Sequence, residues 1–237
     1  YETDFTLIGT TDVEHFDISI KPECTLEEKK YLVNFASEYF ETKVTIDDIV
    51  KTYSGVRPLY NDNASSASAA TRDYVLSIDE TLGAPILNVF GGKITTYRKL
   101  SENALDKISK ILPKVGASWT AGVPLPGGDF NIEDLESLIN KLLKKYNFLD
   151  QKWALRLIKA YGTDAFELLG DSENSKDLGV SFGATLTEKE VIWLIKNEYA
   201  KTADDIIWRR SKLGLRLSDQ EVVILSEWID DNLTTLR

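Results

Sequence analysis

The sequence predicts an α+β fold, in which a mixed α/β first half is followed by an all-α second half. Apolar runs typical of strands occur only in the first half, at 5–11, 49–56, 74–78 and 86–90. Residues 113–128 are rich in Pro and Gly, as a linker is, and only helical spacing of apolar residues follows. We therefore expect an incomplete mixed domain at 1–112, a linker at 113–128 and an all-α domain at 129–237.

Composition excludes several classes of protein. The chain has 237 residues, a net charge of −10 and a pI near 4.8, which argues against a nucleic-acid binder because phosphates would be repelled. No apolar run reaches the roughly 18 to 20 residues of a membrane-spanning helix. The single cysteine, Cys24, excludes an internal disulfide, and we predict it to be a small half-buried residue before a helix.

In the first half, residues 5–11 predict a buried strand, which needs neighbouring strands as partners. Together with the absence of Met, this strand predicts that the chain is a piece of a longer protein. Thr25 and Glu28 have the spacing of a capping box, and helical spacing follows at Leu32, Phe35, Ala36, Tyr39 and Phe40. Residues 61–68 are small and polar and predict a mobile loop, and a helix is expected from about 95 to 112, ended by Pro113.

Three apolar stripes predict helices of a bundle in the second half. They comprise Ile132, Leu135, Leu138, Ile139, Leu142, Leu143 and Tyr146; then Val191, Leu194, Ile195 and Tyr199; and finally Val222, Leu225, Trp228 and Ile229.

The segment NVFGGKITTYR at 88–98 is the first candidate site. Two glycines at a strand end allow a tight turn and a close approach to a ligand, and Thr95 or Thr96 is expected to cap the next helix. The first N–H groups of that helix and the charge of Lys93 suit a phosphate or an electron-rich carbonyl. The alternative is a plain strand–turn–helix connection with an exposed lysine.

The segment YSGVRPL at 53–59 is the second candidate site. Arg57 follows an apolar run and precedes a proline that restricts the backbone, and its guanidinium can grip phosphate or carboxylate in bidentate fashion. The alternative is a surface arginine paired with an acidic neighbour. Arg72, in the segment TRDY at 71–74, is expected to order the neighbouring loop rather than to contact a ligand.

Together with IGTTD at 8–12, these three segments resemble the aerobic, FAD-dependent glycerol-3-phosphate dehydrogenases in order and spacing. The segment ADDIIWRRSKLGL at 203–215 resembles the signature of that family's helical C-terminal domain. Within it, we expect Asp205 and Arg209 to form an i,i+4 pair and Ile207 and Trp208 to anchor the helix in its bundle. The functional alternative is docking onto the flavin domain.

The resemblance implies roles for individual residues. It implies that Arg57 lies beside flavin and substrate and polarises the C2 oxygen while hydride leaves C2 for the flavin. It also implies that Lys93 helps to hold the substrate phosphate. Finally, it implies that the turn formed by Gly91, Gly92, Lys93, Ile94 and Thr95 faces the pyrimidine edge of the FAD ring, where positive potential stabilises the reduced flavin.

Two expected parts are absent from the sequence. The chain has no Gly-x-Gly-x-x-Gly fingerprint for the FAD pyrophosphate, and its only histidine, His15, is predicted to be a surface residue in a turn. We therefore expect the isolated chain to be inactive and to lack FAD.

For the whole protein, the resemblance implies oxidation of sn-glycerol 3-phosphate, quinone as electron acceptor and a cytoplasmic location. It also implies peripheral attachment to the inner face of the membrane. A glycerol-3-phosphate oxidase that uses oxygen and a non-catalytic helical interaction module are the alternatives, and a homodimer is left open.

Overall fold

The computed structural model describes residues 4–61, 71–81, 83–112 and 116–236. The chain divides into two compact units, 1–121 and 122–237. The division falls inside the predicted linker, and the predicted domain segments 1–112, 113–128 and 129–237 stay predictions.

The first unit holds two α-helices and one antiparallel hairpin in its described residues: α1 (Leu26–Ala36), β1 (Val75–Asp79), β2 (Ile86–Phe90) and α2 (Tyr97–Ile108). Short 3-10 turns lie at Ile46–Asp48 and Ile94–Thr96. The predicted capping box is confirmed: the Glu28 N–H donates to Thr25 Oγ1 at 3.2 Å, and the Thr25 N–H donates to Glu28 Oε2 at 2.8 Å. The half-buried Cys24 before this helix is also as predicted.

Two of the four predicted strands are wrong. Residues 5–11 and 49–56 have no strand structure, and several of their apolar side chains are exposed, Leu7 to 63% and Val50 to 67%. A strand needs a neighbour for its backbone hydrogen bonds, and β1 and β2 pair with each other rather than with these segments. The strand predicted at 74–78 lies one residue later, and the strand at 86–90 is confirmed.

The helix predicted at 95–112 is shorter than expected, because α2 ends at Ile108 and turns follow as far as Leu112. Pro113 and residues 62–68 of the predicted loop lie outside the described residues.

The second unit is predominantly helical and is built around one core. Its helices are α3 (Leu135–Lys145), α4 (Gln151–Tyr161), α5 (Ala165–Leu169), α6 (Glu188–Glu198), a π-helical segment (Asp205–Arg210) and α7 (Asp219–Leu236). The three predicted stripes are confirmed as helical in α3, α6 and α7, except at their ends: Ile132 lies in a 3-10 turn, and Tyr146 and Tyr199 follow the last residues of α3 and α6. Short 3-10 turns lie at Ile132–Asp134, Gly162–Asp164, Ser175–Leu178 and Leu213–Leu215. The largest fully buried side chains include Tyr146, Phe182, Leu142, Leu157, Ile206 and Leu225.

The all-α description of this half needs a correction, because it contains a small antiparallel hairpin of β3 (Ser181–Gly183) and β4 (Leu186–Thr187). Strands of three and two residues are too short to show an alternating pattern, so no sequence signal marks them. Phe182 nevertheless enters the core, where its ring lies edge-on to that of Trp228, 5.7 Å away. The hairpin thus closes the side of the core that faces α7.

A buried salt bridge ties the hairpin turn to two helices. Arg156 on α4 donates to both carboxylate oxygens of Glu190 on α6, at 2.6 and 2.7 Å, and to the hydroxyl and carbonyl oxygens of Thr185. The Tyr161 hydroxyl donates to the same carboxylate at 2.7 Å. Burial, and then the negative charge of Glu190, raise the pKa of that hydroxyl well above its ordinary value, so it remains a donor.

Two backbone segments cross so closely that both need glycine. Gly127 and Gly162 have φ of +74° and +56°, and the Thr163 N–H donates to the Gly127 carbonyl at 2.9 Å. A Cβ on Gly162 would lie 1.9 Å from the Gly127 carbonyl oxygen, which no side chain tolerates. This crossing fixes the end of the Pro/Gly-rich segment to α4.

Tyr146→Phe is expected to lower the free energy of unfolding by about 1–2 kcal/mol. The Tyr146 side chain is buried, and its hydroxyl lies 2.7 Å from the Gly170 carbonyl oxygen and 3.1 Å from that of Phe166, so its removal leaves the part-buried Gly170 carbonyl without this donor, whereas the Phe166 carbonyl still accepts from the Gly170 N–H. Urea unfolding of the 237-residue chain measures the loss. Tyr199→Phe is the matched control, because Tyr199 is exposed; an equal loss in the control would contradict the prediction.

No helix of the described residues is long and apolar enough to cross a membrane.

Candidate functional site

The glycine pair after β2 packs against two other candidate segments of the first unit. Gly91 adopts φ +65°, and a Cβ built on it would lie 3.3 Å from the Asp73 carbonyl oxygen, 3.6 Å from the Pro58 carbonyl oxygen and 3.6 Å from the Tyr60 nitrogen. The Tyr60 and Phe90 rings, 5.7 Å apart, pack beside this contact. The segments at 53–59, 71–74 and 88–98 therefore meet at Gly91.

Asp12 joins two arginines in the same unit. Its carboxylate lies 3.0 Å from Arg57 Nη1 and 3.2 Å from Arg72 Nη2. The side chain of Asp12 is 39% exposed, that of Arg57 47% and that of Arg72 44%. The cluster is therefore accessible to solvent and to a ligand. Arg57 therefore has an acidic partner, which agrees with the alternative of a surface arginine paired with an acidic neighbour. Its guanidinium nevertheless stays accessible.

The backbone before Asp12 is attached to α1 through its cap. The Thr11 hydroxyl donates to Glu28 Oε1 at 2.6 Å, and Glu28 is also the capping-box carboxylate of Thr25. The Thr11 hydroxyl, followed by the Thr25 N–H, holds the pKa of the Glu28 carboxyl below its ordinary value, so it accepts these bonds as a carboxylate. The cap of α1 therefore helps to fix the position of Asp12.

The turn after β2 presents a cation and exposed residues. Lys93, Ile94 and Thr95 are exposed, Ile94 to 89%. The prediction that a threonine caps α2 is wrong. Neither Thr95 nor Thr96 accepts a hydrogen bond from the first N–H groups of this helix, and the Thr96 hydroxyl donates to the Lys93 carbonyl oxygen at 2.8 Å. Arg57 precedes Pro58 and Lys93 follows Gly92, so both lie within two residues of the contact at Gly91.

Arg98, the last residue of this segment, has a structural contact. Its guanidinium donates to the buried Glu102 at 2.9 Å, and the Thr120 hydroxyl donates to the same carboxylate at 2.6 Å. That hydroxyl, then the charge of Arg98, lowers the pKa of Glu102, against the effect of burial. These bonds attach α2 to the segment around residue 120.

The remaining candidates fall outside the cluster. His15 is exposed, as predicted, and its Nε2 lies 2.8 Å from the Ile20 carbonyl oxygen. Within the described residues, no group of three or more His, Cys, Asp or Glu is placed to hold a metal ion. In the second unit the predicted pair of Asp205 and Arg209 is confirmed at 3.1 Å, and the predicted anchoring of Ile207 and Trp208 in the core is confirmed.

Sequence reasoning missed Asp12 and Thr11 as parts of the site. Both belong to the segment IGTTD. Nothing in the residue types or local order of this segment indicates a bond to an arginine far along the chain. The pairing of Asp12 with Arg57 spans 45 positions and that with Arg72 spans 60.

Comparison with known proteins shows what the chain is similar to. Residues 118–230 match the family model described as the C-terminal domain of alpha-glycerophosphate oxidase. The chain is 42% identical over 226 residues to a glycerol-3-phosphate dehydrogenase of Pseudomonas aeruginosa, and 40% identical over 227 residues to the aerobic glycerol-3-phosphate dehydrogenase of Escherichia coli. Both alignments cover 95% of the chain. Over most of its length the chain is therefore similar to proteins named glycerol-3-phosphate dehydrogenases.

This similarity confirms the resemblance carried by the four segments. A relative with a different name, the D-erythritol 1-phosphate dehydrogenase of Brucella abortus, is 39% identical over 231 residues, 98% of the chain. The chain spans about half the length of the curated relatives it matches, namely 46%, 44% and 45% of these three.

Proposed function

We propose that the full-length protein that carries this chain oxidises sn-glycerol 3-phosphate to dihydroxyacetone phosphate, with FAD as hydride acceptor and quinone as electron acceptor. The observation that carries the proposal is the cluster in the first unit. There Asp12 binds Arg57 and Arg72, and Gly91 packs against Pro58 and Asp73. One accessible arginine, one accessible lysine and a glycine turn thus belong to the same small region.

Arg57 acts on the carbinol end of the substrate. As the C2 hydroxyl gives its proton to the base, negative charge collects on the C2 oxygen, and a fixed guanidinium beside that oxygen stabilises this alkoxide character while hydride leaves C2. Arg57 suits this task because its side chain is half exposed, is always charged, and is held by Asp12 through one edge only, Nη1.

Lys93 and the turn around it form the other side of the site. Lys93 neutralises part of the charge of the substrate phosphate. The turn combines an exposed lysine with the exposed residues Ile94 and Thr95 beside Gly91 and Gly92, and this set fits the electron-rich edge of a flavin ring. When bound there, FAD supplies the acceptor for the hydride and its electron pair.

The proton of the C2 hydroxyl needs a base. His15 is the only histidine in the sequence, and its Nε2 lies 2.8 Å from the Ile20 carbonyl oxygen. We therefore assign the base, and the binding of the FAD pyrophosphate, to other parts of the full-length protein. The isolated chain is expected to retain no flavin and to show no activity.

The decisive test measures dye reduction that depends on glycerol 3-phosphate, using the full-length protein with its flavin. The proposal expects turnover with bound FAD that is bleached anaerobically by the substrate. A flavin-free, inactive full-length protein would instead support the non-catalytic interaction module, against which the accessible Arg57 and Lys93 argue.

D-erythritol 1-phosphate is the second candidate substrate, favoured by the Brucella abortus relative. Because it carries one more carbinol group than glycerol 3-phosphate, a site shaped for the shorter molecule should discriminate against it. We expect kcat/KM to be higher for glycerol 3-phosphate by about 10-fold or more. Steady-state kinetics with both substrates on one preparation measure the ratio, and a ratio in favour of the longer substrate would reverse the assignment.

The electron acceptor is the finer part of the proposal. The relatives named dehydrogenases favour a quinone, whereas the family model's description as an oxidase domain favours oxygen as the alternative. Reduction of a quinone analogue without formation of hydrogen peroxide supports the dehydrogenase. We also propose a cytoplasmic location, with peripheral attachment to the inner face of the membrane through other parts of the protein. A homodimer is compatible with this arrangement.

A further inference from the structure

We infer that Asp12 is a positioning residue, which orients Arg57 for the oxidation of the phosphorylated polyol. The inference rests on the proposed function. Asp12 does not contact the substrate in this proposal; its carboxylate acts through the guanidinium that does.

The geometry of the ion pair carries the inference. Arg57 Nη1 lies 3.0 Å from Asp12 Oδ1 and 3.1 Å from Oδ2, so one terminal nitrogen is engaged while the rest of the fork is available. Arg57 is 47% exposed, and an exposed arginine samples many rotamers unless something holds it. A small misplacement of such a group is costly in catalysis. The Asp12 carboxylate removes that freedom.

Asp12 is itself held from two sides. Arg72 Nη2 binds Oδ2 at 3.2 Å, on the oxygen that Arg57 also contacts. On the other side, the Thr11 hydroxyl binds Glu28, which belongs to the cap of α1. The cap of α1 therefore holds Thr11, the backbone of Thr11 holds its neighbour Asp12, and Asp12 holds Arg57.

The charges of the cluster predict how kcat and KM will respond separately. Arg57, Arg72 and Asp12 together carry one positive charge, and Asp12→Asn leaves two. Attraction for a dianionic phosphate should therefore be unchanged or stronger, while the orientation of Arg57 is lost. A variant that merely folded poorly would change neither the KM nor the turnover per bound flavin.

The kinetic experiment uses the full-length protein, with rates expressed per bound FAD. We expect Asp12→Asn to lower kcat by roughly 10-fold or more without raising KM, and Asp12→Glu to recover part of the loss. Asp17→Asn is the matched control, because Asp17 lies on the same segment and its carboxylate binds Ser19. Unchanged kcat in Asp12→Asn would overturn the inference.

A double-mutant cycle tests whether Asp12 acts through Arg57. In the Arg57→Ala background, Asp12→Asn should cause little further loss, because the group that it orients is gone. A full additional loss in that background would show that Asp12 acts independently of Arg57, and would overturn the positioning role.

A readout without activity separates this inference from the proposed function. Phenylglyoxal modification of Arg57, followed by mass spectrometry, should be faster in Asp12→Asn than in wild type and near the wild-type rate in Asp12→Glu, with Arg209 as an internal reference. Equal rates at Arg57 in Asp12→Asn and wild type would overturn the inference. A wild-type protein that oxidises neither polyol phosphate would sink the proposed function, while the modification rates still decide whether Asp12 orients Arg57.

Discussion

Arg57→Ala is expected to lower kcat for glycerol 3-phosphate by about 100-fold or more in the full-length protein. The reason is that alanine leaves the charge that forms on the C2 oxygen without its nearest cation. Because Arg57 meets this charge in the transition state, the loss should appear mainly in kcat. Stopped-flow reduction of bound FAD by substrate measures the step directly, without the later transfer of electrons to the acceptor.

Two variants serve as controls for this prediction. Arg57→Lys keeps the charge but lacks the planar fork, so we expect it to recover only part of the rate. Arg209→Ala removes an exposed arginine of the second unit, paired with Asp205, and should leave the rate unchanged. Wild-type turnover in Arg57→Ala would remove Arg57 from the mechanism.

Arg156→Met is expected to lower the free energy of unfolding by about 3–5 kcal/mol, the largest stability effect that we predict. Methionine keeps much of the side-chain volume but leaves the Glu190 carboxylate, only 1% exposed, without its cation. The Tyr161 hydroxyl still donates to the carboxylate but does not neutralise it. The bonds from Arg156 to Thr185, which hold the β3–β4 turn, are lost as well.

Urea unfolding of the 237-residue chain, followed by tryptophan fluorescence, measures this loss. Trp193 is a local reporter, since its ring centroid lies 6.5 Å from that of Tyr161. Adding Glu190→Leu should restore part of the stability, because no unpaired buried charge then remains. Arg209→Met, which breaks an exposed pair, should cost no more than about 0.5 kcal/mol. If Arg156→Met were as mild as this control, the buried pair would not stabilise the unit.

The elements that sequence reasoning predicted well are those with long periodic patterns or a complete local motif. The apolar stripes of α3, α6 and α7 and the Thr25–Glu28 capping box contain their own information, because each depends on residues a few positions apart. The strands predicted at 5–11 and 49–56 failed because an apolar run becomes a strand only where another strand pairs with it. The hairpin of β3 and β4 and the short α5 were missed because elements of two to five residues are too short to show a periodic pattern.

The same distinction applies to the candidate site. Sequence alone revealed the resemblance and the candidate residues Arg57, Lys93, Gly91 and Gly92, because residue types and their local order carry the chemistry of a motif. Only the tertiary structure decided that Asp12 holds Arg57 and Arg72, across 45 and 60 positions. It also decided that Gly91 packs against Pro58 and Asp73. Such contacts depend on how the chain returns on itself, and no spacing of residues along the sequence encodes that path.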